Sequence, residues 1–397
     1  MGLERLRDEM PAELRGRRVG LLSNVGAVDR DLTPSVEVLR HENTVKLERL
    51  FAGEHGIYGE LPAGAPVVDR VDEHTGLDVV SLYAHGHHLD PSRLDGLDAV
   101  LIDVQDIGCR YYTVLGTAMA LVAACAQKGI PAYVLDRPNP LGGAYEGQPA
   151  VEEGYRSLVG YMAIPMRHGL TIGELVRLAA REAGLLESVK VVPMDGWRRD
   201  FLWDDLERSW VPPSPNSSST AMARLYPATC LVEGTNLSEG RGTASPFELA
   251  GAPWLDSWKM AEAVNAWAPP GLRARPATFV PVTSKLKDQV CQGVMIHLEP
   301  RRDVAVVDAG VALIRAALAW PETRFLGVEP EEGEEATKHH GFFDLLAGND
   351  RLREDLRRGR PVPEIVAEWN EGLRTWPEET EEICVYGRLA PRPGVEG

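Results

Sequence analysis

At 397 residues the chain is longer than one ordinary hydrophobic core supports, so two domains are expected. With 59 acidic against 42 basic residues the formal net charge is -17. That charge repels phosphate backbones and anionic membranes and argues against nucleic acid as a partner. Five cysteines, with no C-x-x-C pair and no zinc-ligand spacing, point to a reduced compartment without disulfides. No apolar run is long enough to span a bilayer, and Met1 to Met10 mixes acids with bases around no apolar stretch. A cytoplasmic protein, independent of membranes, is the expectation.

In chain order, short apolar runs alternate with helical spacing. Strands are predicted at Arg18 to Ser23, Val45 to Phe51, Leu77 to Leu82, Ala99 to Ile102, Ala132 to Leu135 and Val189 to Val192. Helices are predicted at Pro34 to His41, Tyr112 to Gln127 and Ile172 to Ala183, the last with Thr171 and Glu174 as a capping box and Gly184 as its stop. This alternation indicates a Rossmann-like, doubly wound parallel sheet over residues 1–225. After the Pro/Ser-rich V-P-P-S-P-N-S-S-S-T, a smaller α+β domain is expected over 226–397. Its predicted elements are helices at Ser257 to Trp267, Val306 to Trp320, Phe342 to Leu346, Leu352 to Arg358 and Val362 to Trp376, and strands at Thr278 to Val282 and Gly293 to Leu298. The acidic run 329–335 reads as a solvated loop.

Polar residues gather at the carboxyl ends of the predicted strands, the edge where open α/β sheets bind ligands. They are Asn24, Glu54, His55, His85, Asp103, Gln105, Asp106, Asp136 and Arg137, with Arg110 and Tyr112 just beyond. A second concentration lies in L-V-E-G-T-N-L-S-E-G-R-G-T, where Glu233, Asn236, Glu239 and Arg241 sit among glycines able to take positive φ. Glycoside hydrolysis needs two carboxyl groups about the scissile oxygen. Glu54, Glu233, Glu239, Asp103, Asp106 and Asp136 are all candidates on spacing alone. Two other readings stay open: a metal-dependent hydrolase built on His55, His85, His87 and His88 with Asp103, Asp106 and Asp136, and a non-catalytic sugar-binding protein using the same cleft. The chain lacks G-x-G-x-x-G, the P-loop pattern and G-x-S-x-G, so no nucleotide cofactor and no serine nucleophile are expected.

The motifs F-A-G-E-H-G-I-Y-G, D-V-Q-D-I-G-C-R-Y-Y-T, D-R-P-N-P-L-G-G, L-Y-P-A-T-C-L-V-E-G-T-N-L-S-E-G-R-G-T and P-F-E-L-A-G-A-P-W, in this order, resemble those of the NamZ-type exo-β-N-acetylmuramidases. This is glycoside hydrolase family 171, formerly a domain of unknown function. The resemblance spans about Val19 to Tyr386. It implies a Rossmann-like domain, a smaller second domain and an active site in the cleft between them. It also implies release of N-acetylmuramic acid from the non-reducing end of peptidoglycan-derived saccharides; no metal and no cofactor are expected. The family's E-H-G glutamate falls on Glu54, the expected acid. Glu239, ahead of Glu233, is the expected partner carboxylate, and Arg110, Arg137 and Arg241 are candidates to hold the lactyl carboxylate. Gly53 stands where the family usually has proline, and Ser217-Ser218-Ser219 follow P-S-P-N where it has an apolar residue and proline.

Overall fold

The computed structural model describes residues 1–41, 44–82, 88–300, 303–328 and 341–389. The first sheet contains β1 (Arg18–Ser23), β2 (Lys46–Ala52), β3 (Arg70–Val71), β4 (Asp78–Ser81), β5 (Ala99–Asp103), β6 (Ala132–Leu135) and β7 (Val189–Val192), in the order β3-β4-β2-β1-β5-β6-β7. All its pairings are parallel except β3 on β4. Strands β1, β5 and β6 are buried nearly throughout because helices cover both faces of the sheet. On one face lie α1 (Gly2–Asp8) and α2 (Ser35–His41), which close a core on Val19, Leu21, Leu50 and Leu101. On the other lie α3 (Val114–Lys128) and α4 (Ile172–Glu182), over Leu22, Val80, Val100 and Ile102. The doubly wound expectation holds, and the predicted capping box forms: Thr171 Oγ1 accepts from Glu174 N while Glu174 accepts from Thr171 N.

The second half begins with α5 (Thr220–Thr229) and a single-turn segment, Cys230–Gly234. Strands β8 (Leu249–Ala252), β9 (Leu272–Phe279) and β10 (Cys291–Leu298) form a small antiparallel sheet in the order β8-β10-β9. Helices α6 (Ser257–Asn265), α7 (Val307–Ala317), α8 (Phe342–Ala347), α9 (Arg351–Arg358) and α10 (Val362–Gly372) complete the smaller α+β unit, and α11 (Trp376–Thr380) returns to the first sheet, where Trp376 joins the core under α4.

Several boundaries differ from the sequence reading. The expected domain boundary near Tyr226 falls inside α5. Strand β9 starts at Leu272, because Arg273 and Arg275 point to solvent and break the apolar run that periodicity seeks. Strand β8 escaped prediction because Ala250 and Gly251 are weak strand formers. The close approach of β10 makes them fit, since a Cβ on Gly293 would sit 2.0 Å from the Ala250 carbonyl oxygen. The helix expected over Val362 to Trp376 is two helices, the second with Pro377 in its first turn. The acidic run 329–335, with Tyr83, His85 and His87, lies outside the described residues.

At the carboxyl edge of the first sheet, Arg137 is 1% exposed and Asp103 fully buried. The guanidinium meets Asp103 at 2.5 and 2.8 Å and donates to the Val28 carbonyl at 2.9 Å, tying β5, β6 and the loop after β1 together. Breaking a buried pair by removing one partner costs far more than the pair contributes, because the orphaned charge stays buried. Arg137→Met is expected to lower unfolding free energy by about 3–5 kcal/mol in urea titration, with a smaller loss when Asp103→Leu is added.

Candidate active site

Strand order reverses between β1 and β5, and this switch point opens a crevice at the carboxyl edge. Asn24 and Gln105, the residues past the two strands, bind each other there: Asn24 Nδ2 donates to the Gln105 carbonyl at 3.0 Å and Gln105 N to Asn24 Oδ1 at 3.0 Å. Glu54 and His55 follow β2 into the same crevice, with Asn24, Thr113 and Tyr112 beside them. The crevice adjoins a cavity of about 500 Å³. Glu54, His55, Tyr111, Tyr112 and Thr113 line it from the first half; Tyr226, Glu233, Arg241 and Phe247 from the second, with Phe342, Leu345 and Leu346 of α8.

Glu54 is held from two directions. Its Oε2 accepts from Thr113 Oγ1 at 3.0 Å and its Oε1 from Gly64 N at 3.2 Å. The His55 ring binds the Leu61 carbonyl through Nδ1 at 2.9 Å, which leaves Nε2 free of that bond. Across the cavity stand two carboxylates and two cations. Arg241 Nη1 donates to Glu233 at 2.5 Å and to Glu239 at 3.1 Å, while Lys285 Nζ lies 2.9 Å from the other Glu239 oxygen. Gly240 and Gly242, at φ of 81° and 78°, turn the chain on either side of Arg241. The guanidinium also lies 4.8 Å from the centre of the Phe247 ring.

The two glutamates are electrostatically unlike. Burial pushes Glu233 above the usual carboxylate range, against the pull of Arg241. Burial acts on Glu239 too, yet Lys285 and Arg241 together hold it below that range. Glu239 is 1% exposed and does not line the cavity, whereas Glu233 does, and Glu239 pairs with Arg241.

Other expected site residues prove to be internal ties. Asp103 and Arg137 are spent on each other. Asp136 accepts from Thr171 Oγ1 and Tyr386 Oη, each at 2.7 Å, and from Gly173 N at 2.8 Å. Gln105 Nε2 donates to the Asp106 and Pro138 carbonyls. Asn236 bridges Arg324 N and the Glu322 carbonyl. Arg110, expected as an anion clamp, is buried and donates instead to Gln148, Ile164, Leu346 and Ala347, the last two being the end of α8. It caps the helix that walls the cavity and does not line it. Among the described residues no three His, Cys, Asp or Glu side chains gather as metal ligands.

Lys285 is a site residue that the sequence does not mark, because no acid flanks it there. Besides Glu239 it reaches the Val232 and Thr235 carbonyls at 3.1 and 2.8 Å. Thr113 and the α8 side chains were missed for a like reason: nothing local marks a threonine as the support of a distant carboxylate.

The family model for the N-terminal part of the exo-β-N-acetylmuramidase NamZ matches residues 19–221, and that for its C-terminal part matches 224–386. The chain is 37% identical to the peptidoglycan β-N-acetylmuramidase NamZ of Bacillus subtilis (strain 168) over 97% of its length and 91% of that protein. Two crystal structures of DUF1343 family proteins from Bacteroides fragilis NCTC 9343 superpose with TM-scores of 0.84 and 0.73, at 29% and 26% identity, each covering 97% of this chain and 98% of the other. No described helix is long and apolar enough to cross a membrane.

Asp106, next in the chain to the cavity-lining Ile107, is buried, and burial raises its pKa to about 7 against the Gly108 and Ile107 amides. Its neighbour His168, 3.7 Å away, is pushed down to about 3 by burial and by Arg167, and so brings no compensating charge. A carboxyl raised above its unfolded value contributes stability that is full below about pH 4 and lost as pH climbs through about 7. Asp106→Asn is expected to flatten the pH dependence of unfolding free energy across that window, a slope of up to about 1.4 kcal/mol per pH unit. An unchanged slope in the variant assigns the dependence elsewhere.

Proposed function

Since the chain belongs to the NamZ exo-β-N-acetylmuramidase family, we propose that its cavity releases β-linked N-acetylmuramic acid from the non-reducing end of peptidoglycan-derived saccharides, with Glu54 as proton donor and Glu233 as the partner carboxylate. The observation that carries this reading is that Glu54 and Glu233 line one cavity from opposite halves of the chain. A pair of carboxyl groups about one bound sugar is what glycoside hydrolysis requires.

In the proposed reaction Glu54 protonates the glycosidic oxygen as the bond to the anomeric carbon breaks. Glu233, which Arg241 draws toward its ionised form against burial, supports as a carboxylate the positive charge that grows on the ring, and water adds to that carbon, its released proton restoring the Glu54 carboxyl. Thr113 and Gly64 aim Glu54, and the ordering of a catalytic group before reaction is worth several kcal/mol of barrier. Tyr112, Tyr226, Phe247 and the α8 side chains give the sugar an apolar surround. Arg241 is the one arginine or lysine among the described lining residues. Its Nη1 serves both glutamates, which leaves Nη2 to meet the lactyl carboxylate that distinguishes muramic acid from glucosamine. A cytoplasmic enzyme acting on soluble saccharide fragments fits the net charge of -17, which disfavours approach to an anionic wall polymer.

The protein is expected to hydrolyse a chromogenic β-N-acetylmuramide and to turn over the matching glucosaminide at least tenfold more slowly. Equal rates on the two would remove the role given to the lactyl group. Glu54→Gln is expected to lower kcat by about 10²–10⁴-fold with melting temperature unchanged, and a fully active variant would end its assignment as the acid. Glu233→Gln should lower kcat at unchanged stability, whereas Glu239→Gln should also lower the melting temperature, since it strands Lys285.

A further inference from the structure

A second depression, of about 750 Å³, lies on the smaller unit and shares no lining residue with the catalytic cavity. Lys259 and Ala263 of α6 form one side, with Trp267 just after that helix; Arg315 of α7 and Trp320 beyond it form another; and the turn at Gly359–Val362 closes the third. Trp267 is 48% exposed, an unusual position for so large an apolar ring. Neither its indole N–H nor that of Trp320 has an acceptor among the described residues, and Arg315 has neither a hydrogen bond nor an ion pair there. Arg360, in contrast, is neutralised by Asp355 and Glu368 at 2.9 and 2.8 Å. Lys259 lies 3.8 Å from Asp256 and Arg360 also lies 3.7 Å from Glu364, so the cationic character of this concave site rests on the Arg315 guanidinium, set beside two indoles uncommitted among the described residues.

The combination selects a ligand class. Indole faces take the C–H surface of a sugar ring, indole N–H groups donate to its oxygens, and a guanidinium takes a carboxylate. Depressions at helix ends also present carbonyl oxygens without intrahelical partners, and α6 and α7 both end here. Such oxygens suit the hydroxyl donors of a sugar, while the carboxylate is left to the Arg315 guanidinium. We propose that this depression is a non-catalytic binding site for a carboxylate-bearing saccharide of the muramic acid type. The proposal rests on the substrate class assigned to the catalytic cavity, but on none of its residues. A second hold of this kind would keep a saccharide or released product on the protein between catalytic events.

No tryptophan lines the catalytic cavity among the described residues, so indole resonances report the second site separately. In full-length protein labelled with ¹⁵N-tryptophan, titration with N-acetylmuramic acid is expected to shift the Trp267 and Trp320 indole signals saturably, each assigned from its Trp→Phe variant. N-acetylglucosamine, lacking the carboxylate, should bind at least fivefold more weakly, and Arg315→Met should weaken N-acetylmuramic acid by a similar factor. Arg315→Met should keep its melting temperature and hydrolyse the chromogenic muramide within twofold of the parent. Absence of a saturable shift at both indoles overturns the proposal, as does equal affinity for the two sugars. Loss of hydrolysis in the parent protein, with the indole shifts intact, would strike at the catalytic reading and leave this site standing.

Discussion

Two carboxylates cannot be buried side by side without cations to hold them, and the cleft depends on how this chain meets that constraint. Glu233 and Glu239 share Arg241, and Lys285 arrives from a loop some forty residues further on to balance the second acid. The result is asymmetric. Glu239, gripped by two cations, becomes a fixed counter-charge. Glu233 remains the member that burial pushes toward its neutral form. Low dielectric amplifies both effects, because screening by water would otherwise make the two glutamates nearly equivalent.

The first half meets the same problem with a different economy of partners. Its strand-end acids and bases are used to tie the sheet edge together: Asp103 to Arg137, Asp136 to Thr171, Gly173 and Tyr386, and Asn24 to the Gln105 backbone. Among the described candidates of this edge, Glu54, His55 and Tyr112 reach the cavity. A rigid edge lets one glutamate on a short loop be aimed by a threonine and a backbone amide. Rigidity also crosses the cleft. Arg110, set after β5, caps α8 through the Leu346 and Ala347 carbonyls. Glu146 accepts from Val306 N and Val307 N at the start of α7 while pairing with Arg167. These buried contacts join the halves where an extended linker would have left them free, and they explain why the passage between the halves runs through α5.

Much of the architecture was legible in sequence because parallel strands buried on both faces are continuous apolar runs. Strands β1, β6 and β7 begin and end where the apolar pattern does, and the Thr171/Glu174 box marked the start of α4 before any packing was known. In the smaller unit the pattern thins. Strand β9 alternates arginine with small residues and β8 is mostly alanine and glycine, so both are stabilised by what they lie against and not by their own propensity.

Sequence alone determined the alternation that builds the sheet, the motif series that marks the family, and the presence of reactive side chains at strand ends and in the glycine-rich stretch around Arg241. It did so because these depend on local composition and order. Which of those side chains face the cavity was decided only by tertiary structure. Asp103, Asp136, Arg110 and Asn236 look as reactive in sequence as Glu54, yet each finds an internal partner far along the chain. Lys285 looks unremarked in sequence, yet it sets the charge of Glu239. The physical reason is that a buried polar group is defined by the partner that satisfies it, and no pattern within a short window names a partner that folding brings from elsewhere.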